Sequence, residues 1–371
     1  MKFSNLQIRK NLFSWLDFGK SEIKLSHSSE KVTLLALSHI GGVGYWSIRK
    51  IYSQIEGIEN IWDYTNQELH DKFEAMKLKN ASKIIEKILS EKKRLFDKAI
   101  NTLKLLDERK ISLILKSDDI FPARLRIIND SPLWLFVEGN IDILSEFNII
   151  AIVGTRKPSD EGLKLSEKVS SILTNKGNII LSGLAKGIDS EAHKANISLK
   201  GKSIAILGTG INHIFPASSA RERKGIIDNG GAVISEYFPD ENYSRRSFYW
   251  RNRLQSGLAY AIIPIEFNKN SGTEHTINFA AEHKKPIYGV FDSSMGIAVS
   301  SEVEQILNER GYKSIDIKNN GEKLFEKLNQ HIHSKSGDKK LKSNIDYQSD
   351  NNSEAQTQEG NSSTDQMDIF N

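Results

Sequence analysis

No cysteine occurs in the 371 residues. That absence removes disulfides, Cys-ligated zinc, iron–sulfur clusters and thiol catalysis together, and it fits a reducing compartment. No uninterrupted apolar run is long enough to span a bilayer, and the start, MKFSNLQIRKNLFSW, shows no apolar stretch followed by a small-residue cleavage site. A cytoplasmic chain without a membrane anchor is expected. Cofactor fingerprints are missing too. Gly208-Thr209-Gly210 is followed by Ile211-Asn212-His213, without the third glycine of a dinucleotide-binding turn, and no complete triphosphate-binding loop occurs. The pairs Glu274-His275 and Glu282-His283 lack the His-Glu-x-x-His spacing of a metal hydrolase. Neither cofactor nor metal is expected.

What is present suits a soluble globular protein: 38% hydrophobic and 26% charged residues, in a chain long enough for two domains. Charge is unevenly spread. Residues 343–371 hold six acidic residues and no Lys or Arg, so of the net +4 this segment contributes −6 and the remainder +10. A basic body fits a polyanionic partner and equally a solvated lysine-rich surface.

Three segments follow from patterning. Residues 1–110 read as a helical domain: Ile48, Ile51, Tyr52 and Ile55 recur at helical spacing, after the glycine hairpin Ile40-Gly41-Gly42-Val43-Gly44. That hairpin resembles a helix-hairpin-helix turn, whose glycines let amides approach a phosphate; a packing turn is the plainer reading. Residues 111–330 read as an α/β domain, because runs at 148–153, 178–181, 203–207, 232–234, 261–265 and 286–290 alternate with amphipathic stretches. Such runs are expected to be buried parallel strands of a doubly wound sheet. Residues 331–371 are too polar to offset their ordering entropy and read as a disordered tail.

Three of the expected strands run into glycine-bearing turns: Gly154-Thr155-Arg156, Ser182-Gly183 through Lys186, and Gly208-Thr209-Gly210. In a parallel sheet these turns share the carboxyl edge, where helix N-termini and free amides favour anions. A phosphate-bearing ligand is expected there, with Ser271 and Gly272 beside it. The segment Tyr243-Ser244-Arg245-Arg246-Ser247-Phe248-Tyr249-Trp250-Arg251-Asn252-Arg253 interleaves guanidinium groups with rings. Arginines neutralise phosphates while rings stack on unpaired bases without regard to sequence. At least one of the three consecutive rings is expected to pack beneath the next helix, with the arginines facing the edge.

Taken in order, these segments resemble the DNA-processing A (DprA/Smf) family from about Phe121 to Val290. The resemblance lies in Ala151-Ile152-Val153-Gly154-Thr155-Arg156, Ser182-Gly183-Leu184-Ala185-Lys186-Gly187-Ile188-Asp189 with Ala192-His193, Leu207-Gly208-Thr209-Gly210, Phe215-Pro216, Ser235-Glu236-Tyr237, Arg251-Asn252-Arg253 and Glu266. It implies a Rossmann-like fold preceded by a small SAM or helix-hairpin-helix domain. It also implies sequence-independent binding of single-stranded DNA, a homodimer, and loading of a RecA-type recombinase during DNA uptake and natural transformation, without enzymatic activity. Arg156, Lys186, Arg251 and Arg253 are the implied phosphate contacts, with Asn252 and the glycine turns shaping the pocket. Ser219, Val290-Phe291-Asp292 and the lack of a winged-helix pattern after Val290 depart from the family and leave the pathway open.

Two further readings stand beside this one. Asp189, His193, Glu236, Glu266, Glu274 and His275 near the same edge would suit a nucleotide hydrolase or nucleotide sensor of the wider Rossmann-like group. Gln366-Met367-Asp368-Ile369-Phe370 resembles the pentapeptide that binds the bacterial sliding clamp, with Gln366, Met367, Ile369 and Phe370 as anchors.

Overall fold

The computed structural model describes residues 28–298 and 301–337, and the clamp-like segment at 366–370 lies outside them. Among the described residues five α-helices come first: α1 (Ser29–Ser38), α2 (Tyr45–Gln54), α3 (Asn66–Ala75), α4 (Ala81–Ser90) and α5 (Lys92–Glu108). Local chemistry sets their starts. Ser28 accepts the Lys31 amide at the head of α1, and Thr65 and Glu68 form a reciprocal capping box on α3.

A seven-stranded sheet follows, built from β1 (Ile111–Leu115), β2 (Trp134–Gly139), β3 (Ile149–Val153), β4 (Ile179–Ser182), β5 (Ser203–Ile206), β6 (Ala232–Ser235) and β7 (Ala261–Pro264). Its order is β1-β2-β6-β5-β4-β3-β7. From β6 to β7 every pairing is parallel, whereas β2 runs antiparallel to both β1 and β6. The fold is thus α/β with a mostly parallel, Rossmann-like sheet. The helices within it are α6 (Ala123–Arg126), α7 (Asp160–Asn175), α8 (Ile188–Ser198), α9 (Ala220–Asp228), α10 (Arg245–Leu258) and α11 (Gly272–Glu282). Continuous apolar strands such as Ile149–Val153 are buried along their whole length because helices cover both faces of the sheet.

One expected strand is placed differently. Residues 286–290 touch the main sheet only through an Ile287 bridge to Ile262, while β8 (Gly289–Phe291) pairs with β9 (Ser314–Asp316) in a separate two-stranded sheet. The outermost place beside β7 is thus only grazed. Helices α12 (Ser301–Glu309) and α13 (Glu322–Gly337) flank β9 in sequence.

Side chains of the sheet alternate between two apolar cores. Trp134 and Phe136 of β2, with Val233 of β6, join a core with Leu34, Ile48 and Leu103 of the helical bundle. Their neighbours Leu135, Val137 and Ile234 join Leu254 and Leu258 of α10 and Ile277 of α11 on the opposite face. The bundle therefore shares a continuous core with one face of the sheet. Because β4, β5 and β6 add on one side of β3 and β7 on the other, the carboxyl ends of β3 and β7 form the switch point at which open α/β sheets hold ligands.

Candidate nucleic-acid interface

The three glycine turns meet at the carboxyl edge, but their glycines admit the protein's own residues. A Cβ on Gly154 would lie 2.5 Å from Ile188 of α8, one on Gly208 2.5 Å from Phe248, and one on Gly183 only 1.9 Å from the Arg251 guanidinium. The amides are occupied as well. The Glu266 carboxylate bridges the switch point, accepting the Ser159 amide at 3.0 Å and its hydroxyl at 2.8 Å, while the Glu266 carbonyl takes the Thr155 amide. Asp189 accepts the Gly183 amide at 3.0 Å, and the Gly210 amide goes to the Glu241 carbonyl. At each of these turns a carboxylate or a backbone carbonyl thus takes an amide where phosphate was expected. The glycine hairpin at 40–44 shows the same substitution, for the Glu241 side chain accepts the Tyr45 amide at the head of α2.

The buried positions follow from this. Arg251 is 4% exposed and lies beneath the Gly183 turn, donating to the Ile206 carbonyl and facing Asp189. Burial pulls its guanidinium down to about 10 and pushes the Asp189 carboxyl up. Arg253 is wholly buried, with both Glu236 oxygens at 2.6 and 2.7 Å from Nη2 and its Nε donating to the Asp130 carbonyl. It cannot meet a phosphate here, because a low-dielectric site tolerates its charge only while paired. Asn252 donates to the Gly272 carbonyl, Ser182 to Ile152 and Thr209 to Gly210, all from buried positions, and Ser271 caps α11. The expectation that the arginines of the aromatic run face outward is therefore corrected for Arg251 and Arg253. The exposed pair is Arg245 and Arg246, on the first helical turn of α10, which carries no acidic residue. Cations at a helix N-terminus oppose the macrodipole by roughly 0.3–1 kcal/mol each.

Exposed groups remain close together. Arg156, Lys157 and Lys186 project from the first two turns. Arg156 stands 5.1 Å over the Phe248 ring, and Phe248 belongs to a trio with Phe215 and Tyr243 whose centroids are 4.3, 5.6 and 5.8 Å apart. Tyr243 is 54% and Phe215 36% exposed, an unusual state for neighbouring rings. Tyr243 and Phe248 belong to the aromatic run of the sequence, whereas Phe215, from a distant loop, carries no sequence signal for this contact. The fold alone brings the loop of Phe215 beside that of Tyr243.

The acidic residues that suggested hydrolysis all have internal duties. Glu236 holds Arg253 and Arg49, Glu274 takes the Arg310 guanidinium and the Asn270 amide, and Glu266 and Asp189 close the turns. His193 is buried against the Ser203 hydroxyl, and burial lowers it to about 3, so it stays neutral. His275 packs edge-on against Tyr249. Among the described residues no group of three or more acids and histidines is placed to hold a metal ion.

The family model for DNA recombination-mediator protein A matches residues 112–323. This chain belongs to that family. It is 39% identical over 173 residues to the DNA processing protein DprA of Streptococcus pneumoniae, across 47% of this chain and 60% of that one. With DprA of Bacillus subtilis it shares 31% identity over 242 residues, 64% of this chain and 78% of the relative. Against the pneumococcal relative, as against Protein Smf of Synechocystis at 66%, the match spans less than two thirds of the relative's length. The solved structure of S. pneumoniae DprA superposes with a TM-score of 0.59 at 30% identity, covering 78% of this chain and 95% of that one. DprA of Helicobacter pylori, whose structure concerns a single-stranded DNA binding mode, gives 0.50 at 23% identity over 62% and 97%. That last likeness bears on fold alone. Among the described residues no helix is long and apolar enough to cross a membrane.

Proposed function

We propose that this member of the recombination-mediator family binds single-stranded DNA without regard to sequence, through the carboxyl-edge patch. The observation that carries the reading is the pair of exposed rings Phe215 and Tyr243 packed on half-buried Phe248, with Arg156 held over Phe248. Rings offer unpaired bases a stacking surface that a duplex would hide, while Arg156, Lys157 and Lys186 neutralise phosphates. With the Ser159 and Gly183 amides taken by Glu266 and Asp189, the exposed side chains supply the phosphate contacts, so the grip is electrostatic and salt-sensitive. The glycine turns set this patch by packing, and Arg251 supports it from below.

From the family follow a homodimer, cytoplasmic location and loading of a RecA-type recombinase onto the bound strand. The segment Gln366–Phe370 would tether the protein to the sliding clamp, which a peptide of residues 360–371 and its Phe370→Ala variant test directly. A nucleotide hydrolase is disfavoured because each acid it would need is engaged elsewhere.

The test is titration with labelled oligo-dT, mixed-sequence single strands, blunt duplex and mononucleotides at several salt concentrations. Single strands of any sequence should bind ahead of duplex. Arg156→Ala should weaken all of them alike and reduce the salt slope by about 0.7 for the lost phosphate contact. Equal affinity for duplex, or an unchanged Arg156→Ala/Lys186→Ala double variant, would overturn the proposal.

A further inference from the structure

Helix α10 carries two faces that meet at its exposed first turn. One holds Phe248 and Arg251 under the glycine turns. The other holds Arg246, Trp250 and Arg253, spaced four and three residues apart, and turns toward the helical bundle. There the Arg246 guanidinium stands 3.8 Å over the ring of Trp46 in α2, Trp46 meets Trp250 edge-on at 5.2 Å, and Arg253 reaches Glu236, which also binds Arg49 of α2. Arg246 is exposed and Trp46 half-buried, although Tyr45, Ile48 and Ile51 already fill the buried face of α2. Lys50 follows Trp46 by one turn, and no acidic residue occurs in Tyr45–Gln54. The nearby carboxylate of Glu241 is engaged by the Tyr45 amide.

We infer that Arg246, held over Trp46, is a second docking step for the same single strand, so that its path leaves the carboxyl edge and continues onto the helical domain. Arg246 presents a cation to a phosphate and a guanidinium face to an unpaired base; Trp46 fixes its position, and Lys50 extends the charge along α2. The inference rests on the strand-binding reading above. Tyr243, just ahead of the Ser244 cap, and Phe248, on the first turn of α10, stand three and two residues away from Arg246 in the chain, so a strand leaving the ring trio reaches this step without crossing the core. The Tyr45 amide at the head of α2 is already taken by Glu241, so the step is carried by the Arg246, Trp46 and Lys50 side chains.

The test uses the full-length protein with oligo-dT in steps from about 4 to 20 nucleotides. For wild type, affinity should rise with length through two stages, the second reporting the helical domain. Arg246→Gln should leave the shortest bound strands within about two-fold of wild type, weaken the longer ones about five- to ten-fold, and remove the second stage. Its salt slope on long strands should fall by about 0.7. Trp46→Phe, which keeps a ring under Arg246, should restore the length dependence that Trp46→Leu loses, and should remove part of the tryptophan quenching seen only with long strands. Loss that is equal at every length, or absent at every length, overturns the inference while leaving the edge patch standing. Arg156→Ala must weaken every length; if it does not, the edge patch itself is wrong, and the extension falls with it.

Discussion

Replacing Glu236 by Gln tests whether Arg253 is a structural cation or a DNA contact. Glu236 is 1% exposed and Arg253 0%, and the carboxylate binds Arg253 Nη2 through both oxygens at 2.6 and 2.7 Å and Arg49 Nη1 at 3.1 Å. The amide keeps the shape and removes the charge, leaving one guanidinium wholly buried without a counter-ion and a second losing its bond across to the sheet. Removing one partner of a buried pair costs about 3–5 kcal/mol, far above the roughly 0–1 kcal/mol of an exposed pair. With about 2.1 cal/mol/K of unfolding entropy per residue, a chain of this size shifts its thermal midpoint by roughly 1–2 °C per kcal/mol, so a fall of at least roughly 4 °C is expected. Urea unfolding should show a lower midpoint with an unchanged slope. Affinity for oligo-dT at low temperature should stay within about two-fold of wild type, and Glu236→Met/Arg253→Met should regain much of the lost stability, since a packed apolar pair avoids the desolvation cost. A midpoint within about 2 °C of wild type would refute the assignment, and so would tighter strand binding caused by a released Arg253.

Other outcomes follow from single contacts. Gly183→Ala places a Cβ 1.9 Å from Arg251 Nη1 and should cost about 1–3 kcal/mol in thermal or urea melts, while also weakening strand binding by displacing the support beneath the patch. A Gly183→Ala protein as stable as wild type would show that the turn can move away. His193 is lowered from 6.5 to about 3 by burial, so its folded value lies below its unfolded one. The stability it contributes is present above pH 6.5 and is lost as pH falls toward 3, and His283, lowered to about 4, acts with the same sign. Urea midpoints should therefore drop on acidification, and His193→Asn should flatten that drop; an unaltered pH profile in the variant would contradict a buried neutral imidazole.

The sequence by itself determined the layered α/β fold, the parallel strands and the meeting of three glycine turns at one edge, because period and punctuation are local properties that survive without coordinates. It also determined the family, since the spaced motifs lie in one order along the chain. Only the tertiary structure decided which charges are free. Arg251, Arg253, Arg245 and Arg246 are alike as letters within nine residues, yet the first two are buried among Asp189, Ile206 and Glu236 while the last two stand in solvent. Their place along α10 sorts them: Arg245 and Arg246 stand on its exposed first turn, whereas Arg251 and Arg253 lie in the later turns that are buried against the sheet and the helical bundle. The antiparallel strands β1 and β2 are not legible in the sequence, because the pairing of β2 depends on β6, nearly a hundred residues on. The same distance explains the closed turns. Glu266 and Glu241 reach amides at Ser159 and Tyr45 from more than a hundred residues away, and the glycines that read as a phosphate cradle are filled by Ile188, Arg251 and Phe248, while the ring trio that replaces the cradle forms only when the loops of Phe215 and Tyr243 fold together.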